Sequence, residues 1–341
     1  MQGRGEEKVV RLRHGSGGLS TKQLISAYFL PKFKNEILAE LGDSAKLEIS
    51  GTTITFTTDS YVVSPLFFPG GDIGKLAIAG TVNDLTVAGS KPLFISAGFI
   101  LEEGMPLDDL ARVLDSMAKT SKEAGVKVVA GDTKVVERGR GDGTYINTSG
   151  VGVRIPGCSV GRERITPGDS ILVTAPVGNH GLTIFLSRMK DEIGLDSNVK
   201  SDCRSLNHML VPVFEKFQRG IHWCRDVTRG GLFTILNEAL REGLEINLRE
   251  TDIPVDPDVK AICEALGLDP CYLANEGVAV LIVEEKIASS VLDMLRKNEA
   301  GRRAAVIGEV QKGNKRVYVE TEVGGSRVVD PLVEDLVPRI C

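Results

Sequence analysis

The chain has 341 residues, enough for two domains of ordinary size with real cores. Its 41 basic and 46 acidic residues give a net charge of −5, with no basic block and only 5% aromatics, which argues against a nucleic-acid groove. Residues 1–18 lack the apolar core of a signal peptide and no segment has the apolar length of a membrane span, so a cytoplasmic protein is expected. Six cysteines without Cys-x-x-Cys or zinc-ligand spacing speak against a structural metal site.

The first half opens on His14-Gly-Ser-Gly-Gly18. This loop has neither a preceding strand nor a Gly-Lys-Ser/Thr ending, so it is no P-loop, yet its N–H groups suit phosphates. A helix is expected over 21–40. Two strands follow within 46–58 around Ser50-Gly51, a hairpin turn signal, and the second alternates Thr with Ile and Phe up to Asp59. Turn residues 69–72 precede a helix at 73–88. Then come a strand at 94–101, an amphipathic helix at 107–124, a strand at 126–130 ending in Gly131-Asp-Thr-Lys134, and a strand at 145–155. Pro156-Gly157 and Pro167-Gly168 mark a boundary. The second unit reads as a strand at 170–174, Gly178-Asn-His-Gly181 opening a helix, and Arg225 to Gly231 opening another through Leu240. Asn275-Glu-Gly277 precedes a strand at 278–283, followed by a helix at 286–297 and strands at 304–310 and 316–320. Hairpins mix with crossovers, which predicts an α+β (mixed α/β) chain: one domain over 1–155, a second over 156–329, and a tail over 330–341.

Four acids end or interrupt apolar elements: Asp59, Asp84, Asp132 and Asp226. A buried carboxylate needs a partner or a metal, and converging carboxylates at element ends suit Mg²⁺. Capping or Asx turns explain Asp59, Asp132 and Asp226 equally well; Asp84, inside an apolar helix, is harder to explain that way. Lys134, two residues past Asp132, shares its face in an extended chain, as a phosphate-binding cation or as a surface ion pair. His180 reads as a turn, cap or catalytic residue, and His208 and His222 as structural. The sequence ends on Cys341, which reads either as a frayed terminus or as a thiol that another active site could modify.

Together, His14-Gly-Ser-Gly-Gly18, the run from Thr58 to Asp72, Thr81-Val-Asn-Asp-Leu85, Gly131-Asp-Thr-Lys-Val-Val136, Asn147-Thr-Ser-Gly150, Asp226-Val-Thr-Arg-Gly-Gly231, Ala274-Asn-Glu-Gly277 and Pro338-Arg-Ile-Cys341 resemble the HypE family. That family makes the cyanide ligands of nickel–iron hydrogenase. The final four residues set it apart from aminoimidazole ribonucleotide synthetase, selenophosphate synthetase and thiamine-phosphate kinase, which share the other motifs loosely. Selenophosphate synthetase is disfavoured further because no cysteine precedes Cys158.

The resemblance implies a two-domain aminoimidazole ribonucleotide synthetase-like fold, a homodimer, ATP bound near the dimer interface, and a mobile tail. A HypF-type partner would carbamoylate Cys341. ATP-dependent dehydration would turn the S-carboxamide into a thiocyanate, and cyanide would pass to iron on a HypC–HypD complex. Asp59, Asp84, Asp132 and Asp226 would hold Mg²⁺. The nucleotide would meet Asp59, Asn83, Asp84, Asp132, Lys134, Asn147, His14 and Gly17. Lys134 would neutralise developing charge, and Glu276 would take the nitrogen proton. Ten extended tail residues span at most about 33–36 Å, enough to enter a groove and to swing out.

Overall fold

The N-terminal third of the chain is organised around one helix that has no solvent-facing side. The structure, a computed structural model, describes residues 9–15, 18–33, 35–40, 42–194, 197–333, 337 and 339–341. Short helices α1 (Leu19–Leu24) and α2 (Leu30–Phe33) flank a π-helical turn at Ile25–Phe29. The helix expected to reach residue 40 stops sooner. The Asn35 carboxamide accepts from the backbone N–H groups of Ile37 and Leu38 at 3.0 and 2.9 Å, which starts a new turn.

Strands β1 (Ala45–Ile49) and β2 (Thr52–Tyr61) form the expected hairpin, with positive φ at both Ser50 and Gly51. A two-stranded ribbon, β3 (Phe67–Phe68) and β4 (Gly71–Asp72), leads into α3 (Ile73–Val87). Asp72 caps that helix, accepting from the N–H groups of Gly74 and Lys75 at 2.8 and 3.1 Å. A helix apolar on all sides must be covered on all sides. Helix α3 lies on a sheet made of β1, β2, β5 (Ser90–Glu102), β6 (Lys127–Val136) and β7 (Thr144–Arg154), in the order β1-β2-β7-β5-β6. Gly150 on β7 permits the approach, because a Cβ there would sit 2.6 Å from the Thr81 methyl and 2.9 Å from Leu85. Helix α4 (Leu107–Ala124) makes the crossover between β5 and β6, a parallel pair; the other neighbours in this sheet are antiparallel.

Strand β6 runs past its expected end at residue 130, because its ladder with β5 continues to Glu102 and Val136. It is an edge strand exposed along nearly its whole length. Val128, Val129 and Val135 are 46, 60 and 66% exposed, and Phe94 and Ile100 on β5 are exposed too. Such an edge is a template for pairing.

The second half is built on a seven-stranded sheet. In chain order its elements are β8 (Ser170–Val173), α5 (Asn179–Arg188), α6 (Lys190–Ile193), α7 (Asn207–Phe217), β9 (Ile221–Asp226), α8 (Gly231–Ala239), β10 (Leu244–Arg249) and α9 (Pro257–Leu266). They continue with β11 (Ala279–Val283), α10 (Glu285–Arg296), β12 (Ala305–Lys312), β13 (Val317–Glu320) and β14 (Ser326–Val329). The sheet order is β14-β13-β10-β12-β8-β11-β9. Val280 and Ile282 of β11 face the cluster containing Leu232 and Phe233 of α8, while Leu281 and Val283 face the cluster containing Leu210 of α7 and Val291 of α10. Helices on both faces explain why β8 and β11 are continuous apolar runs. Helix α3 is sandwiched between the halves, touching β2, β5 and β7 on one side and α7 and β9 on the other.

Candidate active site

Three carboxylates from three distant stretches converge in the seam between the halves. Asp84 lies near the C-terminal end of α3, Asp226 ends β9, and Asp43 precedes β1; their carboxylate oxygens lie within 4.8 Å of one another. Asp226 is buried, and Asp84 nearly so. Burial pushes Asp84 well above the usual carboxylate range, and the charges of Asp226, Asp43 and Asp59 push it further. Asp226 rises to about 7, from burial first and Asp43 next, opposed by Arg225 and Arg229.

Cations frame the cluster. Arg229, exposed on the turn after Asp226, loses some solvation, yet the charges of Asp43, Asp84, Asp59 and Asp226 raise its affinity for its proton overall. Arg225 reaches Asp43 at 2.7 Å and Glu238 at 3.1 Å, and Glu238 meets Lys22 at 2.5 Å. The Thr57 hydroxyl, on the inward face of β2, lies 2.8 Å from Asp84 Oδ2 and from the Asp43 carbonyl. Just past Arg229, Gly230 and Gly231 have φ of 69° and 73°, a turn that side-chain-bearing residues resist.

A second acid faces the same seam. Glu276 is 3% exposed, and its Oε1 has no hydrogen-bond partner among the described residues. Burial holds it well above the usual range, reinforced by Asp226, Asp59, Asp202 and Asp84. Its loop is pinned: Asp202 accepts from the N–H groups of Glu276 and Gly277 at 3.3 Å each, and Asn275 Oδ1 accepts from Gly178 N–H at 2.8 Å. Burial lifts Asp202 to about 6.

The end of the chain enters this region. Val337 and Ile340 are buried members of the apolar cluster that holds Tyr61, Cys203 and Ala274, and Cys341, half-buried, packs against it. The Cys341 carbonyl accepts from Val62 N–H at 2.9 Å.

The structure brings Asp84, Asp226 and Glu276 together, with Asp59 coupled to them by charge. Asp59 lies inside β2, half-buried, and accepts from Ser60 N–H at 2.8 Å. Asn147, paired with Ser60 on the neighbouring β7, donates to the Asp59 carbonyl and to Ser60 Oγ, each at 2.9 Å. Asn83 ties the two halves together. Its amide donates to the carbonyls of Arg204 and Glu276 at 3.0 and 3.2 Å and accepts from Leu206 N–H at 2.8 Å. Asp132 stands outside the carboxylate triad, on exposed β6. It shares a face with Lys134, whose Nζ lies 2.7 Å from both of its oxygens. His14 accepts from Arg11 N–H at 3.0 Å within the turn Leu12–Gly15, and Gly17 lies outside the described residues. Asp43, Arg229 and Asp202 were missed. Arg225 and Arg229 flank Asp226 in sequence, a visible pairing signal, whereas Asp43 looks like any turn acid.

Residues 41–154 match the family model for the N-terminal domain of AIR synthase related proteins, and residues 166–320 match the model for their C-terminal domain. A carbamoyl dehydratase HypE of Azotobacter vinelandii is 47% identical over 334 residues, covering 97% of each chain. A crystal structure of a HypE–HypF complex matches with a TM-score of 0.85 at 44% identity, over 91% of this chain and 99% of the matched one. A crystal structure of HypE in complex with ATP matches at 0.81 and 44% identity, over 98% of this chain and 100% of the other.

Proposed function

The chain belongs to the HypE family of carbamoyl dehydratases, and from that premise we propose that it uses ATP to dehydrate an S-carboxamide on its own Cys341 to a thiocyanate. The product would serve as the cyanide source for the Fe(CN)2CO centre of nickel–iron hydrogenase. We take residues 1–155 as the ATP-binding and dimerisation domain, 156–329 as the second domain and 330–341 as the tail. The observation that carries this reading is the packing of Cys341 against the apolar cluster that holds Tyr61, Cys203 and Ala274, with Ala274 two residues before Glu276.

An amide oxygen leaves poorly, and phosphoryl transfer changes that. The carboxamide oxygen takes the γ-phosphoryl group and ADP departs. The C–O bond then breaks with release of inorganic phosphate as nitrogen gives up its two protons, leaving the C≡N triple bond. Mg²⁺ would screen the triphosphate. Hard cations take carboxylate oxygens, and Asp43, Asp84 and Asp226, crowded and mutually repelling, fit that need. Asp59, flanking the triad, completes the acidic wall, with Asn147 bracing its backbone.

Glu276 is the proton acceptor in this reading. Burial first, and repulsion from neighbouring acids next, keep its proton on, so neutralising those acids removes part of the barrier to its acting as a base. Lys134 supplies charge to the transferred phosphoryl group. Its place on the exposed apolar edge supports a homodimer in which Asp132 and Lys134 of one subunit complete the site of the other. We further propose a HypF-type carbamoyl donor, a HypC–HypD complex as cyanide acceptor, and a cytoplasmic setting. Among the described residues no helix is long and apolar enough to cross a membrane.

Mass spectrometry of the tail peptide tests the reading. After carbamoylation, Mg-ATP should remove the mass of one water from the Cys341 peptide. A carbamoylated peptide that stays unchanged while ATP is bound would refute it.

A further inference from the structure

The seated tail is gripped by side chains that the chemistry above leaves unused. His180, on the first turn of α5, is fully buried, and its Nε2 lies 2.8 Å from the Ile340 carbonyl. A carbonyl only accepts, so Nε2 carries the hydrogen, and Nδ1 accepts from the Ser201 hydroxyl at 2.8 Å. Phe68 meets the ring edge-on at 5.5 Å and fixes its plane. Arg188, at the other end of α5, donates through Nε to the Ser64 carbonyl at 2.5 Å and through its terminal nitrogen to the Arg339 carbonyl. Arg339 answers with Nε to the Val62 carbonyl at 3.0 Å and an ion pair to Asp142 at 2.7 Å.

Arg339 itself sits at φ 54°, a left-handed conformation that costs a residue with a side chain free energy. The inserted state is therefore held by several modest bonds against local strain, the arrangement of a two-state element rather than a permanent core. Among the described residues, His180 and Arg188 of α5 hydrogen-bond the main-chain carbonyls of residues 340 and 339. A group added to the Cys341 sulfur leaves those carbonyls untouched, so loaded and unloaded tails are gripped alike.

We propose that His180 and Arg188 are positioning residues: a latch on α5 that captures the carbonyls of Arg339 and Ile340 and sets how long Cys341 stays beside the Ala274–Gly277 loop. The proposal rests on the reading that the tail thiol alternates between this site and a carbamoyl donor. Loosening the latch then moves the balance from dehydration toward loading.

Thiol alkylation reads the tail position without any partner. The other five cysteines are buried, so Cys341 is the fast-reacting one, and peptide mass identifies the product. In the full-length protein, His180→Phe keeps the ring and loses both bonds. Iodoacetamide should then label Cys341 about fivefold faster, the effect of roughly one hydrogen bond. His180→Gln, with an amide N–H in place of Nε2–H, should return most of the way to the parental rate. Arg188→Met should accelerate labelling independently and carries the test if His180→Phe fails to fold. Single-turnover dehydration should slow by a similar factor while carbamoylation does not. Parental labelling rates in folded His180→Phe and Arg188→Met would overturn the latch. A labelling response with no dehydration in any variant, parent included, would leave the latch standing and remove the proposed chemistry.

Discussion

Asp84, Asp226 and Glu276 carry charge, or the capacity for it, where water does not reach, and the protein loses stability for keeping them there. Asp226 holds its proton up to about pH 7 in the folded chain, against about 4 when unfolded. Between those values the folded state binds the extra proton, so this residue's penalty is absent below about 4, grows as pH rises toward 7 and is complete above it. Asp226→Asn should therefore raise the melting temperature at pH 8, by about 2–4 °C for roughly 1 kcal/mol, while Mg-ATP affinity in a calorimetric titration falls at least about tenfold. A destabilised variant with parental affinity would make Asp226 a structural acid. His180 has the opposite sign. Burial lowers it to about 4, from an unperturbed value near 6.5. Its contribution to stability is complete above about 6.5 and is lost as pH falls toward 4. Chemical denaturation of parent and His180→Phe across that window should show the parent losing more stability on acidification. Asp84 and Asp226 stand out in the sequence as charges inside or at the ends of apolar elements, and the structure brings both into the carboxylate cluster. Asp132 looked the same there, because a strand at an exposed edge and a strand in a core can share one composition.

At the scale of elements, flanking turn residues made α3 legible and amphipathic periodicity made α4 legible, each to within a residue or two. Strand β2 was legible as a strand, but its faces run against hydrophobic patterning. Thr55 and Thr57 are buried while Phe56 is 39% exposed. The inward threonine bonds Asp84, and the outward phenylalanine lies on the sheet with the exposed Phe94. Helices α7 and α9 and strands β9, β10 and β14 were not read from the sequence. The parallel pairing of β10 with β13 is decided by a partner about seventy residues along the chain. The contact of α3 with β7 offers a direct test. Gly150→Ala places a methyl against Thr81 and Leu85, and overpacking of this kind costs about 1–3 kcal/mol. Because Asp84 is on the same helix, Mg-ATP affinity should fall together with melting temperature. A loss of stability with unchanged affinity would uncouple the helix seating from the site.

For the whole molecule, the mixed α+β class and the two-part organisation followed from the irregular alternation of strands and helices, while the seam between the halves did not. Asn83 and the Ala274–Gly277 loop meet only because distant segments fold onto each other. If Lys134 acts across a dimer, Lys134→Ala and Asp84→Asn subunits, each inactive alone, should complement. Random mixing should recover about a quarter of parental activity, since half the dimers are mixed and half their sites intact. No recovery in demonstrably mixed dimers would place Lys134 in its own subunit's site. The central claim is that Glu276 takes the proton during dehydration at Cys341. Its most direct measurement is single-turnover loss of water from the carbamoylated tail peptide, followed by mass spectrometry across pH, in the parent and in Glu276→Gln. Gln keeps size and hydrogen bonding but accepts no proton at neutral pH. The account predicts normal carbamoylation of the variant, a dehydration rate lower by at least about a hundredfold, and loss of the acid-side pH limb that the parent shows. A Gln variant that dehydrates at the parental rate with the parental pH profile would contradict it.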